Sequence, residues 1–215
     1  MLRSLLVALT LLLAVPAHAL DIDSKDVGIS FHIAHPAKEF DCKLLAGGGK
    51  AVLHMDPSDL ARTGVDVDIQ VGFFNSDNTR RDSHMIEVLE GLIFPTIVWK
   101  VDGIGGVSGP VTVGEHRVTA KGPLTVHGKT MDVEVPVQLT IKADGSVEAN
   151  ADFSISLEAF EIERPTLVFV PIEDIVPIKV RIAWPANPAL LAPPAPEPAA
   201  EAPEAVDAPA ETPAE

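Results

Sequence analysis

Cysteine is nearly absent from this chain of 215 residues: Cys42 stands alone, so no internal disulfide can form. Tyrosine is missing altogether. Cations are scarce, with 16 Lys and Arg against 31 Asp and Glu and a formal charge of −15. A phosphate backbone requires a basic face, so nucleic acid is excluded as a partner. The same deficit excludes docking on an anionic leaflet by charge alone. Catalytic signatures are lacking too: there is neither a G-x-S-x-G elbow nor an H-E-x-x-H pair. Gly47-Gly48-Gly49-Lys50 lacks the rest of a phosphate loop and reads as a flexible turn. His32 and His35 are three residues apart on a strand, which puts them on opposite faces and unable to share one metal ion simply. His84 and Glu87 can meet on a helix, but two ligands are too few. Cys42 beside Lys43 has no accompanying redox motif. The chain therefore reads as a non-enzyme, with no catalytic residue, no metal ligand set and no required cofactor.

Both ends separate from the fold by composition. Arg3, the apolar run from Leu5 to Val15 and Ala17-His18-Ala19 have the layout of a secretory signal peptide cut before Leu20. The apolar run is shorter than the ~20 residues a spanning helix needs, so no permanent membrane anchor is expected. This predicts a periplasmic or secreted protein with residues 1–19 as its leader. Residues 186–215 contain eight Pro, eleven Ala and six acidic residues and no Lys or Arg. Such a stretch reads as an extended, disordered acidic tail. Residues 20–185 remain as one domain, long enough to bury a core.

Within that domain the dominant period is two. Val65, Val67, Ile69 and Val71 alternate with polar residues, as do Val133, Val135, Val137, Leu139 and Ile141; so do Val147 to Leu157 and Val176 to Ile182. Shorter candidates lie at residues 27–35, 50–55, 96–102 and 116–126. The Asp144-Gly145 step predicts a hairpin with a type I′ turn. About eight antiparallel strands, each with one apolar face, predict an all-β closed barrel or sandwich. Ala149 and Ala151 on the apolar face favour a barrel with a lumen, but periodicity alone leaves a filled core open. One segment changes period: Met85, Val88, Leu89 and Leu92 recur at helical spacing, with Asp82 as the expected N-cap. A short helix there should plug or lid one barrel end. Its start concentrates Thr79-Arg80-Arg81-Asp82-Ser83-His84, which suits either an anionic head group or an Arg–Asp pair closing the loop onto the helix.

Four ordered motifs carry a resemblance. Ile29-Ser30-Phe31-His32-Ile33-Ala34-His35 resembles an S-x-F-x-V-x-H opening strand. Asn78 to Met85 with Phe94-Pro95-Thr96-Ile97 resembles N-x-x-R-D-x-H-L followed by Y-P-x-I. Gly122 to Thr130 resembles G-x-L-T-L-H-G-V-T, and Glu173 to Val176 resembles the V-x-D-x-V before a last strand. Together they resemble the YceI-like family over about residues 22–183. The resemblance implies an extended, eight-stranded, lipocalin-like antiparallel barrel whose lumen holds a long apolar chain, a polyisoprenoid or an isoprenoid quinone, for carriage or storage. On that basis the expected ligand-binding residues are Phe31, Ile33, His35, Trp99, Val135, Val137, Ala151, Phe153 and Ile155 in the lumen, with Arg81 and His84 at the mouth. Three departures stand out. Leu157 replaces a family arginine and Glu161 a family glycine, while Trp99 replaces a more usual Phe and should narrow the lumen. The competing reading is a non-catalytic, stress-related scaffold with a filled barrel and a partner-recruiting tail. A homodimer is compatible with the sequence, which does not decide it.

Overall fold

The computed structural model describes residues 19–191 except Val168. Nearly all of the leader segment and most of the acidic tail thus lie outside the described residues. In chain order the elements are β1 (Leu20–Asp23), β2 (Asp26–Ile33), β3 (Phe40–Leu44), β4 (Gly49–Met55), β5 (Gly64–Gln70), β6 (Phe74–Asn75), α1 (Thr79–Val88), β7 (Thr96–Val101), β8 (Gly103–Gly105), β9 (Gly114–Val126), β10 (Lys129–Ile141), β11 (Val147–Ser156), β12 (Thr166–Leu167), β13 (Val170–Pro171) and β14 (Ile175–Trp184). All pairings are antiparallel. The main sheet runs β1-β4-β5-β7-β9-β10-β11-β14-β2-β3-β6, with β8 added beside β9. β12 and β13 form a separate two-stranded ribbon.

The sheet curls until the chain itself bridges its edges. β1 pairs with β4, and β2, two residues further on, pairs with β14. At the bend, the Ser24 N–H donates to Ala51 O while the Lys25 N–H donates to Ala183 O, both at 2.7 Å. Counting β1 and β2 as one bent strand gives eight around the ring, as expected; β3, β6 and β8 extend it.

The barrel is solid at one end. Leu53, Met55, Ile141, Val147, Trp184 and Leu190 are at most 2% exposed and share one cluster. Leu190 belongs to the segment assigned from composition to the tail. Residues 188–191 instead form a 3₁₀ turn seated against the β10–β11 hairpin, where the Asn187 N–H donates to Gly145 O. Gly145 is needed here, since a Cβ would lie 2.2 Å from Asn187 O. The packed chain thus continues six residues past the boundary expected at Pro185, because two leucines still have apolar surface to cover. The hairpin differs from a type I′ turn as well. Only Gly145 has a positive φ, and Asp144 accepts from the Ser146 N–H and hydroxyl, which fixes a five-residue loop.

At the other end the wall opens. β10 and β11 pair only up to Val137 and Ala151, although β10 continues along β9 and β11 along β14. Pro136, without an N–H, stands where their ladder stops. The chain after β11 turns into this wedge and packs Leu157, Phe160 and Ile162 against Leu124 and Val126.

Candidate functional site

Above the packed end lies a cavity of about 1010 Å³, open to solvent on one side. Its wall follows from the two-residue period: Ile29, Phe31 and Ile33 of β2, Val67 and Ile69 of β5, Ile97 and Trp99 of β7, Phe153 and Ile155 of β11, and Val176, Ile178 and Val180 of β14 all point inward. Its roof is α1, which contributes Met85, Val88 and Leu89. Lys38, Arg80, Arg81 and His84 stand at the mouth. The floor is aromatic. Trp99 and Phe153 lie 6.4 Å apart at 39°, and the indole Nε1–H donates to Gly122 O at 3.3 Å. Below Trp99 only a void of about 50 Å³ remains.

Of the expected lumen residues, Phe31, Ile33, His35, Trp99, Phe153 and Ile155 line the cavity, and Arg81 and His84 reach its mouth. Three do not line it. Val137 and Ala151 border the small void below the floor, and Val135 is 2% exposed and lines neither space. Neither the alternation nor the resemblance says at which height the barrel is filled. Trp99 borders both the cavity and the small void beneath it. Leu157, where the resembled family has arginine, is a buried wall residue, so this part of the lumen is apolar. Glu161, in place of a glycine, adopts φ 58° and pairs with Lys129 across the wedge, which holds its carboxyl below the usual range.

The polar residues of the mouth are mostly tied to the fold. Asp82 is not the N-cap; Asn78 is, accepting from the Arg81 N–H at 3.1 Å. Asp82 instead reaches back to Ser76, accepting from its N–H at 2.9 Å and its hydroxyl at 2.5 Å. Arg81 donates from Nε to Ser76 Oγ at 2.8 Å and from Nη2 to Ser76 O at 2.6 Å, with its guanidinium 4.0 Å above the Phe40 ring. The Arg-Arg-Asp segment is therefore first a clasp between α1 and the residue that follows β6, while Lys38, Arg80, Ser83 and His84 are exposed. Leu92 does not join the helix face: α1 ends at Val88 and the following turn leaves Leu92 97% exposed.

The three histidines near the lumen each have their own partner and do not pair with one another. His35 is 5% exposed and saturated: the Ala37 N–H donates to its Nδ1 and its Nε2–H donates to Val170 O, both at 3.0 Å. That geometry fixes the neutral Nε2–H tautomer and pins the β12–β13 ribbon beside the mouth. His84 faces Glu87 at 3.4 Å, and His127 lies 3.3 Å from Glu90 and edge-on to Phe94. Cys42 is fully buried beneath Met85, its Sγ 3.8 Å from the thioether, and burial pushes its pKa up to about 11. Among the described residues no cluster of three or more metal-ligating side chains exists, and no helix is long and apolar enough to cross a membrane.

A hollow antiparallel barrel with one mouth, an apolar lumen and a polar rim is a barrel of the lipocalin-like kind. The chain belongs to the YceI-like domain family, whose model matches residues 20–184. No curated protein sequence matches it. Similar solved structures include Burkholderia cenocepacia BcnA (17% identity, TM-score 0.61, covering 73% of this chain and 95% of that one). A polyisoprenoid binding domain from Saccharophagus degradans, implicated in plant cell wall breakdown, is also similar (12% identity, TM-score 0.61, 78% and 98%). So is the Campylobacter jejuni YceI protein (17% identity, TM-score 0.53, 68% and 85%).

Proposed function

We propose that the protein is an exported carrier or store of a long-chain amphiphilic lipid, a polyisoprenoid or isoprenoid quinone, held in the barrel lumen. The single observation that carries this reading is the apolar cavity of about 1010 Å³. Ordinary ligand clefts run to about 300–1,000 Å³. Its mouth is open, so in solution it holds water or a ligand rather than nothing. Water would meet a wall of aliphatic and aromatic side chains with few hydrogen-bond partners. A hydrocarbon chain instead gains about 0.8 kcal/mol per buried methylene, and the space admits on the order of thirty methylene-sized groups. The neighbouring polyisoprenoid binding domain supports the same ligand class. With this lumen, a scaffold built on a filled barrel is the poorer reading. Among the described residues the His–carboxylate pair at the cavity, His84 and Glu87, is largely exposed at the mouth rather than set in the lumen, so binding rather than turnover is the activity proposed. The leader layout of residues 1–19 supports export to the periplasm or medium.

The test is mass spectrometry of lipids extracted from protein purified from its own host. A stoichiometric prenyl lipid or quinone is expected. A lumen that carries no apolar ligand, and takes up none from a prenol or quinone dispersion, overturns the proposal.

A further inference from the structure

Nine large apolar side chains are well exposed among the described residues: Leu45, Phe73, Leu92, Ile93, Val113, Met131, Phe169, Val170 and Ile175. Their distribution is one-sided. Val113 alone belongs to the packed end, preceding the start of β9 where Gly114 pairs with Ile141. The others sit on the cavity half, and the most exposed occur at two loop tips of the rim. Leu92 and Ile93, 97% and 67% exposed, follow α1, the cavity roof. Phe169 and Val170, 99% and 42% exposed, form the tip of the β12–β13 ribbon, which His35 holds beside the mouth. Residues 91–95 and 165–172 contain no charged residue. Thr166 and Ile172 of the ribbon and Leu89 before the other tip line the cavity, so the exposed apolar surface continues into the lumen.

We infer that these two tips are a docking surface for a lipid bilayer, through which ligand passes between the membrane and the lumen. The inference rests on the carrier reading above. Seating both tips in the acyl layer would make lumen and hydrocarbon continuous, so that a chain moves without crossing water. The net charge of −15 opposes attraction to an anionic leaflet. The surface that fits is therefore zwitterionic, entered by uncharged side chains, with binding insensitive to salt. Exposed patches of this kind mark interaction sites in soluble domains.

The test is flotation with phosphatidylcholine vesicles, comparing wild type, a Leu92→Ser/Phe169→Ser double variant and Val113→Ser as the packed-end control. It is run on the full chain and on the form starting at Leu20, so that the apolar run of residues 5–15 does not supply the binding. Each tip residue is expected to contribute about tenfold to partitioning. The double variant should thus lose roughly a hundredfold, with Val113→Ser unchanged and no gain from added anionic lipid. A wild type that fails to float, or a double variant that floats as well, overturns the inference. So does a wild type that runs as a dimer and becomes monomeric on the double substitution, which would make the tips an interface between copies. Lipid content, measured in parallel, separates the two ideas. Flotation without ligand leaves docking standing and removes the carrier, and ligand without flotation does the reverse.

Discussion

A glutamate placed at two heights of one strand should give two different proteins. Ala151 and Ile155 lie on the same inward face of β11, with Phe153 of the aromatic floor between them. Ala151 is 7% exposed, opposite Val137 and Val180, and borders a void of only about 50 Å³. Ala151→Glu would have to fill the whole of that void with a side chain of another shape, and such a misfit costs about 1–3 kcal/mol. The carboxyl has no partner and will bind a proton. Neutralising it at pH 7 from a reference near 4.3 costs about 3.7 kcal/mol, at 1.36 kcal/mol per unit. The sum, about 5–7 kcal/mol, corresponds to a melting temperature lowered by roughly 10–25 °C for a domain of this size. Because the folded-state pKa is raised, the electrostatic part is present above the unfolded value and disappears as pH falls below about 4.3. Ile155→Glu at the cavity wall has an outlet to solvent. It should lose only the partial burial of one isoleucine, about 1–2 kcal/mol, while a carboxylate in the lumen expels the ligand. Circular dichroism melts at pH 7 and pH 4, with lipid mass spectrometry, read both variants. An Ala151→Glu protein that melts within a few degrees of wild type, or an Ile155→Glu protein that keeps its ligand, would refute the placement of the floor between them.

Three further outcomes are expected. Asp82→Ala removes both hydrogen bonds to Ser76 and should cost about 1–3 kcal/mol in a denaturant titration with lipid content unchanged, whereas intact stability with lost ligand would make the clasp a binding element. Leu190→Ala should cost about 2–5 kcal/mol, since Leu190 is 1% exposed; truncation after Pro185 should therefore lower the melting temperature, and truncation after Leu191 should not. The Cys42 thiol, with its pKa near 11, stays protonated through neutral pH and should react with a disulfide reagent at pH 8 only after unfolding; rapid labelling of the native protein would contradict its burial.

How much of this was legible beforehand depends on which physical signal carries each feature. The inward direction of Phe31 and Trp99 came with the family resemblance, whereas alternation is local, so the faces of β5, β10, β11 and β14, with Phe153 and Ile155, could be read directly from the chain. So could the short helix, from Met85, Val88 and Leu89. The floor could not: whether Ala151 faces a void or a cavity depends on Trp99, three strands away around the ring. Asp82 and Asn78 exchanged roles because both are good caps and only the path of β6 into α1 decides which carboxyl or amide reaches the helix N-terminus. Leu190 was hidden by its neighbours, since an Ala/Pro context reads as tail unless the apolar surface it covers is already known. The exposed tips have no periodicity, and their meaning depends on lying at the same end as the mouth.

The bent first strand has a consequence for how the molecule can come into being. Val27 pairs with Ile182, so the ring closes only through residues at opposite ends of the domain. Pairings this remote in sequence carry the greatest loop-closure entropy and form slowly. A chain emerging residue by residue can build the β2–β3, β1–β4, β4–β5 and β9–β10 pairings early, but β2 lacks its second neighbour until β14 has arrived. The ring is therefore closed last, by β14. Until then the strands that will wall the lumen expose their apolar faces to whatever holds the chain. A protein built this way stays threadable for as long as its final strand is withheld.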